Sequence, residues 1–385
     1  MTISKIPTAS PLFPNLQVLH CKYKAKAMPL LQLSFPSLDL LHVNLRTSDS
    51  FQEFFHSFPE LSPNTTGLFI RTGQSEDMFP IIEPSHIGRW QNLRSVVCPE
   101  LILGVDTLLH LSRMPALVQL SFMLRITFPA FHSPLVFPNL HHLTLHSVHL
   151  DTISQFLLQV QLPAITDFCA SIFRTPSRQE LSSFHNGVQT SDAGHMIQRL
   201  SLKSPLYTPD DALRPLETLL LEDLRPYMSR NLRYLELNMA WEVSLADSQV
   251  LELASAWPQL QHLQINADQG WGPPNGVTPG GLIRLLQMCR SLSQIALRLD
   301  VRGYTESPDC HAPAIIGLTL PPAMVINVLD SSITRENLHA LTTFFSGIAS
   351  CSDLAFIHWD GLGMTGYRDA MIYKLLWNAV SVHLT

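Results

Sequence analysis

Four histidines crowd the ten residues HHLTLHSVHL, His141 to Leu150, and clustered imidazoles are what a transition-metal site requires. Read as a strand, the segment puts His142 and His146 on one face but four residues apart, roughly 13 Å. One ion with ligand distances of ~2 Å cannot bridge them. His141 and His149 fall off that face or into the turn. The spacing therefore predicts solvent-facing or turn histidines and no metal ligand. A second candidate is the loop GWGPPNG, Gly270 to Gly276, which follows a strand and precedes a helix as a phosphate cradle would. It lacks the Gly-x-Gly-x-x-Gly spacing, and Pro273 and Pro274 remove two backbone donors. No cofactor is expected there. The chain has no Gly-x-Ser-x-Gly elbow, P-loop or His-Glu-x-x-His helix. The carboxylates Glu222, Asp223, Glu236 and Asp247 are dispersed without a visible pair. No catalytic residue can be assigned, and the expectation is a protein that is not an enzyme.

The elements that would carry a surface are set by a recurring phrase: an apolar residue, Pro, any residue, then Leu-x-x-Leu-x-apolar. It reads FPNLQVLHC from Phe13, FPSLDLLHV from Phe35, MPALVQLSF from Met114, FPNLHHLTL from Phe137 and WPQLQHLQI from Trp257. Weaker copies begin at Trp90, Leu162, Met196, Arg214, Arg230, Cys289 and Cys351. From Leu93 the phrase returns at Leu117, Leu140 and Ile165, steps of 24, 23 and 25 residues; Leu232, Leu260 and Leu292 are spaced by 28 and 32. Such periods belong to leucine-rich repeats, roughly 20–29 residues, or slightly exceed them. The fold expected is α/β: a leucine-rich-repeat solenoid, or horseshoe, with a parallel concave sheet, helical convex returns and irregular repeats.

Within the phrase, Leu-x-Leu has the period of a strand, so leucines face the core and the x residues face outward. The helical returns include LADSQVLELASAWP, with Asp247 or Ser248 expected as N-cap, and TPGGLIRLLQMC, with Thr278 as N-cap and Pro279 at the first helical position. The 385 residues read as one repeat domain: a lead-in over 1–12, the clearest repeats over 13–302, an irregular loop over 303–322, last repeats over 323–360 and a capping helix over 365–381. In that helix Ile372, Leu376 and Val380 share a face, with Trp377 nearby. Hydrophobic residues make up 46% of the chain and charged ones 15%, which excludes disorder. A net charge of -6 gives no electrostatic footprint for nucleic acid. Lys22, Lys24 and Lys26 read as a solvated loop. No run of apolar residues is long enough to span a membrane. MTISKIPTAS lacks a signal peptide's apolar core, and the six cysteines form no close C-x-x-C pair. Together these point to a cytoplasmic or nuclear protein.

Projecting the x positions gives an outward ladder of polar and aromatic residues. The partner-binding residues expected on it are Arg199, Tyr234, Glu236, His262, Gln264, Arg298, Phe356 and His358, with Arg and aromatic side chains as anchors. The ladder also includes His20, His42, Asn44, His146, Asn238 and Asn266.

The order AWPQLQHL (Ala256 to Leu263), then VTPGGLIRLLQMC (Val277 to Cys289), resembles the C-terminal half of the F-box and leucine-rich-repeat proteins of mushroom-forming (basidiomycete) fungi. The FPNL and LPAI phrases and the helix YKLLWNAV (Tyr373 to Val380) also fit. In that family an A-W-P-x-L-x-x-L phrase precedes a V-T-x-x-G-L-x-x-L-x-x-x-C helix. The resemblance implies the substrate-recognition repeats of an SCF ubiquitin-ligase receptor, holding an unidentified target protein. The family's F-box would precede the repeats, yet the first phrase begins at Phe13, so the adaptor is an expected partner only if an F-box lies upstream. A stand-alone repeat scaffold without a ubiquitin link is the other reading.

Overall fold

The Leu-x-Leu half of each phrase forms a short strand, and consecutive strands pair in parallel. In the computed structural model the described residues are 13–23, 34–45, 54–55, 58–72, 81–125, 131, 133–192, 195–204, 217–268, 270–272, 276–304, 318–351, 354–359 and 367–382. They fall into two units: Met1–Ser171 with Asn186–Gly194, and Ile172–His185 with His195–Thr385. In the first unit the strands Val18–Tyr23, Leu40–Leu45, Gly67–Thr72, Ser95–Leu103, Gln119–Met123, His142–Ser147 and, all but its last residue, Asp167–Ile172 run across the sheet in chain order. In the second, Arg199–Lys203, Tyr234–Asn238, His262–Ile265, Gln294–Ala296, Ala323–Asn327 and Leu354–His358 do the same. The chain is an α/β leucine-rich-repeat solenoid.

Register aligns the apolar slots into columns. In the first unit Leu41, Leu68, Val96, Leu120 and Leu143 are successive partners, all buried. In the second, Leu200, Leu235, Leu263, Ile295 and Ile326 form the equivalent column, also buried. Each such side chain contributes roughly 1.5–3 kcal/mol by leaving water. Phase is held at the strand start, where one carbonyl accepts two consecutive N–H groups of the next repeat. Thr66 and Gly67 donate to Asp39, His141 and His142 to Val118, and Gln261 and His262 to Arg233.

The residues around the prolines act as staples between repeats. Asn64 and Asn139 each donate from Nδ2 to a proline carbonyl one repeat earlier, Pro36 and Pro115, at 2.8 Å in both cases. Trp90 and Trp257, at the phrase's first position, donate from Nε1 to the carbonyls of Ser62 and Tyr227 at 3.0 and 3.1 Å. Buried indoles thus satisfy main-chain acceptors that would otherwise carry a desolvation cost.

Three features differ from the sequence expectation. The Gly67–Thr72 strand belongs to a repeat without a leucine in its first slot: Thr65 sits there, fully buried, its hydroxyl donating to the Leu38 carbonyl at 3.4 Å. The Asp247–Ala256 helix has Ala246 as N-cap, with the Gln249 side chain accepting the Ala246 N–H at 2.8 Å. Asp247 instead serves the next repeat, accepting from the N–H and hydroxyl of Thr278 at 2.8 and 2.5 Å. Thr278 itself caps the Pro279–Met288 helix as expected, accepting from Gly281 N–H at 3.1 Å. In the Tyr367–Val382 helix, Trp377 and Val380 are buried but Ile372 is 49% exposed, because five residues place it about 140° around the axis from Trp377. Most of the loop expected over 303–322, together with Lys24, Lys26 and the side chain of Lys22, lies outside the described residues.

Candidate recognition surface

Residues of the second unit that alternate with the core column form two further rows in register. The first runs through Arg199, Tyr234, His262, Gln294, Val325 and Phe356, and the second through Ser201, Glu236, Gln264, Ala296, Asn327 and His358. Strands about 4.8 Å apart hold successive side chains of a row near ring-stacking distance. The Tyr234 and His262 rings stack with centroids 4.0 Å apart and planes 10° from parallel. The Arg199 guanidinium lies 4.1 Å from the centroid of the Tyr234 ring. Three neighbouring strands thus carry a cation–π–π stack with little rotamer freedom left to lose.

Glu236 anchors the stack from the second row. Its Oε2 accepts from the hydroxyls of Tyr234 and Ser201, both at 2.9 Å, and its Oε1 lies 2.9 Å from Lys203 Nζ. Burial pushes this carboxyl up, but the Lys203, Tyr234 and Ser201 contacts outweigh it and hold Glu236 below its ordinary value. Burial and then the Glu236 hydrogen bond raise Tyr234 to about 12. Burial lowers His262, leaving a neutral imidazole in the stack at neutral pH. The Nε2 of His262 is buried without a hydrogen-bond partner.

The eight anticipated partner-binding residues are therefore placed differently. Arg199 is exposed, while Tyr234, His262 and Gln264 are half-buried on the outward face. Glu236 is 6% exposed and acts as a support. Phe356 and His358 stand on the last strand, and their side chains lie outside the described residues. Arg298 is a correction: it is buried beyond its short strand, donating to the Gly272 carbonyl with Nε 3.9 Å from Asp330. The ladder expected beyond Glu236 and Gln264 also turns inward. Asn238 is buried and donates to Asp268 at 2.5 Å. Asn266, at φ 51°, donates to the Trp241 carbonyl at 2.6 Å and accepts from Met239 N–H at 2.9 Å.

The histidine segment separates as well. His142 is exposed and lies 3.2 Å from Asp167, and His141 Nδ1 is 2.8 Å from the Ala164 carbonyl. His146 is half-buried instead of solvent-facing. Burial pushes it down to about 4. Among the described residues no group of three or more His, Cys, Asp and Glu could hold a metal ion, and no helix is long and apolar enough to cross a membrane. In the Gly270–Gly272 part of the glycine-proline loop, the N–H groups of Trp271 and Gly272 are already taken by Asp330, at 3.0 and 2.9 Å. A second aromatic row, His20–His42–Phe69 in the first unit, was only half visible, because the strand carrying Phe69 lacks the leucine signature.

No protein-family model matches the chain, and no curated protein matches it. Among solved structures, the yeast Rad7–Elc1 complex yields a chain of 13% identity and TM-score 0.39, over 92% of this chain and 78% of that one. An internalin (InlF) from Listeria monocytogenes has 12% identity and TM-score 0.34, over 91% and 86%. The leucine-rich repeat-containing protein LegL7 from Legionella pneumophila has 10% identity and TM-score 0.32, over 96% and 97%. At these scores the fold rests on the chain's own repeat register.

Proposed function

We propose that the Arg199–Tyr234–His262 row is the recognition surface of a non-enzymatic protein-binding module. The observation that carries the reading is the stack itself: Arg199 lies over the Tyr234 ring at 4.1 Å, and the buried Glu236 carboxylate holds Tyr234 through its hydroxyl. Arg and Tyr are enriched among residues that dominate binding energy, and pre-ordering reduces the entropy lost on association. The module serves as the substrate-recognition repeats of an F-box-type SCF receptor in the cytoplasm or nucleus. The ordered AWPQL and VTPGGL phrases support that finer assignment.

Proximity labelling in the native cell, with the proteasome blocked, tests both levels. The expected result is a target set that a Tyr234→Ala, Arg199→Ala double variant loses, together with co-purification of an SCF adaptor by the longest native product. A target set indifferent to the double variant overturns the surface assignment. Retained targets without an adaptor overturn the ligase assignment and leave the stand-alone scaffold.

A further inference from the structure

In the first unit the outward row passes through His20, His42, Phe69 and Val97. The first three rings stack face to face, with centroids 4.1 Å apart between His20 and His42 and 4.2 Å between His42 and Phe69. The stack stops at Val97, and a concavity of about 490 Å³ runs across these strands, lined by His20, His42, Phe69 and Val97 in this row and by Asn44, Arg71 and Pro99 beyond it. One face of Phe69 packs on His42, and the other carries no ring contact among the described residues. A ring placed over Val97 would continue the stack at the spacing of the strands, about 4.8 Å.

The next outward row supplies polar groups. Arg71 is exposed, with no ion-pair or hydrogen-bond partner among the described residues. The Oδ1 of Asn44 is buried without a donor. Both line the concavity. Arg71 follows Phe69 by two residues, roughly 6.6 Å along the strand, which is also the separation of side chains i and i+2 in an extended peptide. Burial, then the neighbouring His20, lowers His42, which keeps that ring neutral at neutral pH, and among the described residues Arg71 is the positive side chain of the lining. A single guanidinium on a chain of net charge -6 suits one carboxylate and opposes a polyphosphate backbone.

We propose that this concavity binds an extended polypeptide segment with an aromatic residue and an Asp or Glu two positions apart. The ring sits over Val97 against Phe69, the carboxylate pairs with Arg71, and a segment N–H donates to Asn44 Oδ1. The inference shares with the proposed function only the premise that the chain binds polypeptide.

The test is selection of a phage-displayed random peptide library on the full chain, followed by titration of the enriched peptide. The expected consensus is aromatic-x-acid, with affinity about tenfold weaker for Arg71→Gln, the scale of a charge-assisted hydrogen bond. Val97→Phe, which fills the ledge with the protein's own ring, abolishes binding, and Arg284→Ala, an exposed change on the Pro279–Met288 helix, leaves it unchanged. Unaltered circular dichroism melts establish that the variants fold, and the surface change Arg71→Gln decides the matter if Val97→Phe does not. No enriched consensus, a consensus without the aromatic–acid pair, or indifference to Arg71→Gln overturns the inference. Peptides sensitive to Tyr234→Ala but not to Arg71→Gln overturn it too while sustaining the other surface. Preferential binding of an oligodeoxythymidine probe also overturns it.

Discussion

Arg298 illustrates how much a single side chain's surroundings matter. Its neighbour Asp330, 2% exposed, holds Trp271 and Gly272 through their N–H groups and faces the guanidinium at 3.9 Å. The fit is close: at Gly270, where φ is +79°, an added Cβ would stand 2.7 Å from the Asp330 carboxyl carbon. Asp330→Ala strands two buried donors and a buried cation, so a loss of about 3–5 kcal/mol is expected, read from denaturant midpoints. Asp330→Asn, which keeps one acceptor, loses less. Glu236 offers a spectroscopic counterpart. It is a lesser cause than burial of the rise of Tyr234 from 10.0 to about 12. Glu236→Gln should therefore bring Tyr234 down without returning it to 10.0. Ultraviolet titration of tyrosinate, with Tyr234→Phe as blank, measures this; an unchanged midpoint would remove Glu236 from the stack's support.

Between elements, the joint linking the Asp247–Ala256 and Pro279–Met288 helices is the most specific. Asp247 binds the N-cap Thr278 twice, and a Cβ at Gly281 would lie 2.2 Å from its Oδ1. Alanine for glycine inside a helix ordinarily stabilises by roughly 0.5–1 kcal/mol. Here Gly281→Ala displaces the carboxylate and should destabilise instead. In the Asp247→Ala background the same change should become neutral or stabilising, and a double-mutant cycle read by thermal melts measures that coupling. Additivity would mean the two residues do not meet. This joint was partly legible: Thr278 and Pro279 announce the helix start, whereas Asp247 reads as the cap of its own helix until the neighbouring repeat is seen. The same division runs through the fold. Leu-x-Leu announces nearly every strand, but Thr65 hides one by filling a leucine slot through a hydrogen bond. Outward projection holds inside strands, for Arg199, Tyr234 and His262. It fails at the last strand residue, as at Asn238, and past the strand ends, where the chain turns at Asn266 and Arg298 and the period of two no longer applies.

At the scale of the molecule, acid should act on both units through histidines that burial keeps neutral. His146 in the first unit and His185 in the second are each pushed down by burial from 6.5 to about 4. Asp223 opposes the shift at His185 without overcoming it. The unfolded chain takes up these protons as pH falls through 6.5, whereas the folded chain refuses them until about 4. Stability is thus full above 6.5 and declines as pH falls toward 4, by at most about 3 kcal/mol per histidine. His42, His86 and His262 are lowered in the same direction and add to the slope. Carboxylates held below their ordinary values, such as Glu180, Glu236 and Asp300, act later in the descent, as pH falls through the carboxylate range. Urea midpoints measured from about pH 7 to pH 4 should therefore fall before the carboxylates titrate. A His146→Gln, His185→Gln double variant has a lower starting stability but a flatter slope across that window. A slope as steep as wild type in the double variant would place the acid sensitivity on other groups.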